Sequence, residues 1–369
     1  MSDAARVLER AWRREDLAGE LLHWLLRPAA VAWGLAARAR VDLYRRGVWA
    51  SVRLPVPVVS VGNLAVGGSG KTPTALWLAG ELEKRGYRPA LLSRGYGGSH
   101  AGPLAVDATG ASPAGDWRVV GDEPVLLAKR SRLPVIVARD RAQGGELAHA
   151  ELGADVLVLD DGFQHLQLAR DFDLVLARAG TLARPATLPA GPLREAPSAL
   201  MRADALVVTE GEEGSTDAGA ERWMRGRPIF HARLRPVCLV TPSPHGWEEL
   251  PLALLAERRA VAVSGIADAQ PFYNLLWEWD LRVEDTLDFP DHHPYSLEDW
   301  KRIANVSRDR DLVVTTEKDL VKLDRFPFAR QKLVAVRVEM EVDDGDRLID
   351  AIERAIGGPG ERAAGRGER

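Results

Sequence analysis

The sequence predicts an α/β chain: a doubly wound, largely parallel sheet, a smaller C-terminal α/β domain after it, and amphipathic, membrane-associating helices in front. Two observations carry this prediction. Between about residues 54 and 230 short apolar runs alternate with helical patterns, and near-continuous apolar runs are what a parallel sheet covered on both faces requires. A glycine-rich stretch also joins the first such run to the first helical pattern, which is where open α/β sheets bind their ligands, at the carboxyl ends of strands.

That stretch comes first because the rest is arranged around it. A β-branched run leads into Val61-Gly62-Asn63-Leu64, then Ala65-Val66-Gly67-Gly68-Ser69-Gly70-Lys71-Thr72-Pro73, and a helical pattern leads out. Glycines let backbone N–H groups converge on an anion, and a helix start adds unsatisfied N–H groups and a positive dipole end. Lys71 supplies a charge for the outer phosphates, and the Thr72 hydroxyl suits Mg²⁺. The first domain is therefore expected to be of the P-loop NTPase type. One departure stands out: Ala65 occupies the place where the motif has its first glycine, so the freedom must come later, from Gly67 and Gly68.

Composition narrows the setting. The 369 residues suffice for two domains, and 46% apolar with 28% charged residues is ordinary for a soluble globular chain. A formal net charge of −4 argues against bulk nucleic-acid binding. The single cysteine, Cys238, excludes an internal disulfide framework and a cysteine-based metal cluster. Eleven tryptophans against five tyrosines is unusual, and several lie where a lipid surface can use them.

Residues 1–50 carry the apolar blocks 21–26 and 31–37, broken by Arg27 and Pro28 and flanked by arginines. No apolar run reaches the ~20 residues of a bilayer span, and the first twenty residues lack the apolar core of a secretory signal. An interfacial helix and a helical hairpin packed on the main domain both fit, and both can hold together. Residues 51–235 form the expected core domain, with strands at 57–61, 89–92, 134–137, 156–159, 173–176, 205–209 and 228–231. Residues 232–256, with four prolines, read as an irregular passage between domains. The second domain, 236–356, is expected to hold strands at 260–264, 282–286, 312–315 and 333–338, with helices at 268–279 and 297–305. The tail, 357–369, has a disordered composition.

Five further motifs follow predicted strands or start helices. Ser93-Arg94-Gly95-Tyr96-Gly97-Gly98 permits close approach of a ligand, with Arg94 able to clamp a phosphate. In Gly121-Asp122-Glu123-Pro124 the two carboxylates are either plain helix caps or a base and a metal ligand. Asp160-Asp161-Gly162-Phe163-Gln164-His165 ends an apolar strand in acid, as the Mg²⁺ side of a nucleotide site requires. Asp291-His292-His293 suits acid–base or substrate-binding work better than a metal, since adjacent residues seldom face one ion. Thr316-Glu317-Lys318-Asp319 closes a later strand and can cap a helix facing the cleft.

In this order, together with Gly67 to Pro73, these motifs resemble the tetraacyldisaccharide 4′-kinase family, the lipid A 4′-kinases, from about residue 21 to 338. The resemblance implies transfer of the ATP γ-phosphate to the 4′-hydroxyl of a tetraacylated glucosamine disaccharide 1-phosphate, at the cytoplasmic face of a bacterial inner membrane. It implies ATP and Mg²⁺, a lipid surface as partner, no nucleic acid and no obligate protein partner. It assigns Ala65 to Thr72 to the nucleotide phosphates, Lys71 among them. Thr72 and Glu123 become metal ligands, with Asp160 or Asp161 as a further ligand or just behind. Asp122 becomes the catalytic base, paired with His292, which Asp291 can orient. Arg94, Arg139 and Arg141 become candidates for the 1-phosphate or anionic headgroups. Two alternatives use the same loop: a nucleotide-switch or assembly ATPase or GTPase acting on a protein partner, and a soluble small-molecule kinase whose leading helices are core.

Overall fold

The computed structural model describes residues 10–12, 14, 16–183, 185–209, 219–244, 246–326 and 332–359. A long helix, α1 (Leu17–Arg45), leads the chain. The first half then runs β1 (Val58–Asn63), α2 (Lys71–Lys84), β2 (Pro89–Ser93), β3 (Leu104–Ala105), α3 (Trp117–Val120), α4 (Asp122–Arg130), β4 (Val135–Val137), α5 (Arg141–Ala150), β5 (Val156–Asp160), β6 (Phe172–Arg178), β7 (Ala205–Thr209) and α6 (Ala220–Met224). The second half runs β8 (Ile229–Ser243), β9 (Gly246–Leu250), β10 (Arg259–Ser264), α7 (Gln270–Glu278), β11 (Arg282–Asp288), α8 (Leu297–Val306), β12 (Leu312–Thr316), α9 (Glu317–Leu323), β13 (Leu333–Val342) and α10 (Gly345–Ile356).

Among the described residues, thirteen strands make one sheet in the order β11-β10-β12-β13-β8-β7-β6-β1-β5-β2-β4-β3, with β9 on β8 outside that path. Every residue of β1, β2, β5 and β7 is buried, which is why these strands read as unbroken apolar runs. β1 lies between β5 and β6 and parallel to both, with Val61 opposite Asp160. This register brings the loops after β1 and β5 to one edge of the sheet. The loops after β2 and β4 open on that edge too, since both strands run parallel to their neighbours.

Three expectations are corrected. Residues 232–256 are not an irregular passage: most of them belong to β8 and β9. The first residues of β8 pair in parallel with β7, and its length pairs antiparallel with β13, so this ribbon joins the two halves of the sheet. Its prolines are tolerated because Pro236 falls at a register shift and Pro242 pairs only with β9 at the margin. Second, Arg27 and Pro28 interrupt the apolar run but not the helix, and α1 is continuous through both. Third, the amphipathic α10 went unforeseen. It turns back to the first half, where Leu348, Ile349, Ile352 and Ile356 share a core with Leu78 and Leu82 of α2. The tail expected at 357–369 falls outside the described residues from 360 onward.

No described helix is long and apolar enough to cross a membrane. α1 docks along one side only. His23 Nδ1 meets the Ala190 carbonyl at 2.8 Å, Thr187 donates to the Ala30 carbonyl, and Trp33 Nε1 donates to the Arg194 carbonyl at 2.9 Å. The other side is apolar and bare: Leu17, Leu21, Trp24, Leu25, Val31 and Leu35 follow helical spacing, and Leu25 is 68% exposed.

Candidate active site

The loop after β1 takes its left-handed residues at Gly67 (φ 101°) and Gly70 (φ 79°), while Ala65 is extended and bridges Leu193. Alanine therefore suffices where the motif has its first glycine. The freedom arises two residues later, at Gly67, and again at Gly70; Gly68 keeps a negative φ. Val66 N–H donates to the Pro192 carbonyl, and Asn63 Nδ2 donates to Ser69 Oγ at 2.8 Å, so both ends of the loop are fixed. α2 begins at Lys71 and points its first N–H groups at the loop.

Two carboxylates face this helix start. Thr72 Oγ1 donates to Asp160 Oδ2 at 3.0 Å, and Lys71 Nζ lies 3.9 Å from Asp161 Oδ1. Asp161 holds a left-handed backbone (φ 57°) and also accepts from Arg194 Nη1 at 2.9 Å. The turn packs so tightly on β1 that a Cβ on Gly62 would sit 2.5 Å from Phe163 Cβ. Glycine at position 62 is thus a condition for the two acidic residues to reach the loop. Burial, and then the Glu123 charge, push the Asp160 carboxyl well above the usual carboxylate range, against the pull of Lys71. Asp160 Oδ1 is buried without a hydrogen-bond partner.

Those features fit a divalent cation. Among the described residues no group of three or more His, Cys, Asp or Glu is arranged to hold a metal ion. Mg²⁺ does not need one, because it takes one or two carboxylates and completes its octahedron with phosphate oxygens and water. A crowded, orphaned carboxylate oxygen beside a hydroxyl at a phosphate loop is that kind of donor set.

On the other side of Glu123 the halves of the chain meet. Asp122 is buried at the start of α4, and its oxygens lie 2.9 and 3.0 Å from Nδ1 of His292. Lys322 of α9, itself fully buried, donates to Asp122 Oδ2 at 3.0 Å. Lys318, one turn earlier on α9, reaches Asp291 at 3.0 Å, His292 Nε2 at 3.1 Å and Glu123 at 3.3 Å. An ammonium only donates, so Nε2 accepts and the imidazole proton sits on Nδ1, facing Asp122. Burial opposes the charge on Asp122, but the His292 bond and the two ammoniums hold it far below the usual carboxylate range. His292 and Tyr295 both have positive φ (58° and 44°), a backbone conformation that side chains rarely adopt. The Tyr96 ring lies 4.9 Å from that of His292, so the loop after β2 covers the pair.

Arg141, at the start of α5, is buried and sits near enough to Arg94 that burial and the second guanidinium push it down to about 10. Arg94 is exposed, and Arg139, also exposed, lends its carbonyl to Arg141 at 3.3 Å. The structure thus groups Arg94 with Arg141 and leaves the Arg139 side chain on the surface. Asp291 meets Lys318 more closely than the His292 ring, which lies 3.7 Å away. Sequence reasoning assigned no role to Lys322, Arg194 or Tyr96.

A strand, a glycine-rich loop and a helix starting in Lys-Thr, opposed by a strand ending in Asp and by a carboxylate–imidazole pair, define a P-loop phosphotransferase. The family model for tetraacyldisaccharide-1-P 4′-kinase (LpxK) matches residues 22–357, and the chain belongs to that family. It is 41% identical over 353 residues to the tetraacyldisaccharide 4′-kinase of Nitrobacter hamburgensis, covering 94% of this chain and 97% of that one. With the Syntrophus aciditrophicus protein of the same name it shares 39% identity over 323 residues, 82% of this chain and 84% of the relative. The solved structure of LpxK from Aquifex aeolicus in complex with ATP superposes with a TM-score of 0.75 at 33% identity, over 91% of this chain and all of that one.

Proposed function

We propose that this chain is an ATP-dependent lipid kinase that moves the γ-phosphate to the 4′-hydroxyl of a tetraacylated glucosamine disaccharide 1-phosphate, the kinase step of lipid A biosynthesis. The observation that carries the transfer reading is the Asp122–His292 contact at 2.9 Å. A nucleotide switch needs no base for an alcohol acceptor, whereas a kinase uses one.

The amides of Gly67 to Gly70 and Lys71 hold the β- and γ-phosphates. Thr72, Glu123 and Asp160 or Asp161 are the residues that would hold Mg²⁺, which when bound neutralises charge on the phosphates. Asp122 accepts the proton of the 4′-hydroxyl. A strongly ionised carboxylate is a weak base, yet a loose phosphoryl transfer needs little more, because the hydroxyl becomes acidic only as it bonds to phosphorus. His292, with its proton on Nδ1, holds the carboxylate in line. Because Asp122 and His292 come from opposite halves of the chain, divided at about residue 235 with α10 returned to the kinase side, the pair is complete only when the halves meet. That arrangement guards ATP against water.

Arg94 and Arg141 suit the 1-phosphate or an anionic headgroup. The bare face of α1 suits the headgroup layer at the cytoplasmic side of the inner membrane, where a four-chain lipid stays because exposing it costs ~0.8 kcal/mol per CH₂. Incubation with [γ-³²P]ATP and the lipid disaccharide in mixed micelles tests the reading. Labelled lipid carrying a 4′-phosphate is expected; release of free phosphate with no labelled lipid would sink it.

A further inference from the structure

The mechanism above leaves α9 unused, although its two lysines touch the reacting pair more closely than any other cations among the described residues. Lys322 is fully buried, 3.0 Å from Asp122 Oδ2 and 3.6 Å from Asp319 Oδ1, and lies 5.7 Å over the Tyr295 ring. A fully buried lysine is rarely retained without a paired charge, and here the pair joins two segments 200 residues apart in sequence. Asp319 is itself held, accepting from the Gly265 N–H at 2.9 Å and from Thr316 Oγ1 at 2.8 Å. The ammonium is therefore anchored on the α9 side and presented to Asp122. Lys318, four residues earlier and so on the same helix face, occupies His292 Nε2.

Resting on the assignment of Asp122 and His292 given above, we propose that α9 is a two-lysine clamp that positions the pair. Lys322 fixes the rotamer of Asp122, leaving its outer lone pairs aimed at the acceptor, and Lys318 fixes the tautomer of His292. Both are positioning residues: neither touches the transferred phosphate in this account, and each acts through its partner.

A double-mutant cycle in the full-length chain tests this, read as single-turnover transfer to the lipid disaccharide at saturating MgATP. Lys322→Met is expected to lower the rate about tenfold or more with the KM for ATP unchanged. In the Asp122→Asn background the same substitution should cost less than about twofold, because the group it positions is gone. An equal loss in both backgrounds, or no loss in either, would overturn the clamp. Should Lys322→Met alone fail to fold through its stranded carboxylate, Asp122→Asn/Lys322→Met lacks that charge, and Lys318→Met supplies an independent arm. For Lys318→Met, ¹⁵N spectra of histidine-labelled protein should show His292 leaving the Nδ1–H form; an unchanged spectrum would remove Lys318 from the proposal. Wild-type turnover in Asp122→Asn alone would instead refute the base assignment, so the two failures are distinguishable.

Discussion

Lys71 and Thr72 meet Asp161 and Asp160 through a loop and two strands that are neighbours in the sheet. Asp122 instead meets His292 and Lys322 across 170 and 200 residues of chain. The proposed nucleotide side is thus built from one loop and adjacent strands, and its parts are recognisable one by one. The proposed acceptor side is a meeting of α4, the 291–295 segment and α9, and its parts are far apart in sequence. One consequence is an asymmetry in mutational effect: damage to the loop should affect ATP handling, whereas damage to the meeting point should affect transfer alone.

Substitutions on the two sides sharpen this contrast. The largest effect is expected for Lys71→Ala, which should lower kcat/KM for ATP by about 10²-fold or more by removing charge stabilisation of the transferring phosphate. Asp122→Ala should lower kcat by about 10²-fold at near-constant KM for ATP, in steady-state assays at saturating lipid. If Asp122→Ala raised the KM for ATP as Lys71→Ala does, the two sides would not be separable. Gly62→Ala probes the join between strand and acidic turn. Its Cβ would press on Phe163, so the protein should lose about 1–3 kcal/mol in thermal or denaturant unfolding. The smallest effect on chemistry belongs to α1: Leu21→Ser/Leu25→Ser should weaken retention on anionic vesicles roughly tenfold, as lost apolar burial requires, while kcat in detergent micelles stays put. A fall in micellar kcat instead would make α1 part of the core.

The same contrast explains what was legible in the sequence. Strands β1, β2, β5 and β7 were found within a residue or two because burial on both faces makes each an apolar run with little else to confuse it. The phosphate loop and Asp160-Asp161 were legible for a related reason, since their chemistry depends on spacing along the chain. The start of β8 was foreseen at 228–231, but its long continuation and β9 were not, because prolines usually end strands, and the ribbon tolerates them at a register shift and at its margin. Lys322 and Arg194 were not foreseen, because what matters about them is a partner far away in sequence. His292 was assigned to Asp122 only through family resemblance; periodicity and spacing offered no route from one to the other.

On the reading proposed above, the first half binds the nucleotide and the second half licenses transfer. His292→Ala separates these most directly, because it leaves every residue of the phosphate loop in place. Equilibrium binding of MgATP and single-turnover transfer to the lipid disaccharide should be measured on the same preparation. ATP affinity is expected to stay within about twofold of the parent while the transfer rate falls by about 10²-fold. Lost ATP affinity with an unchanged transfer rate would contradict that reading.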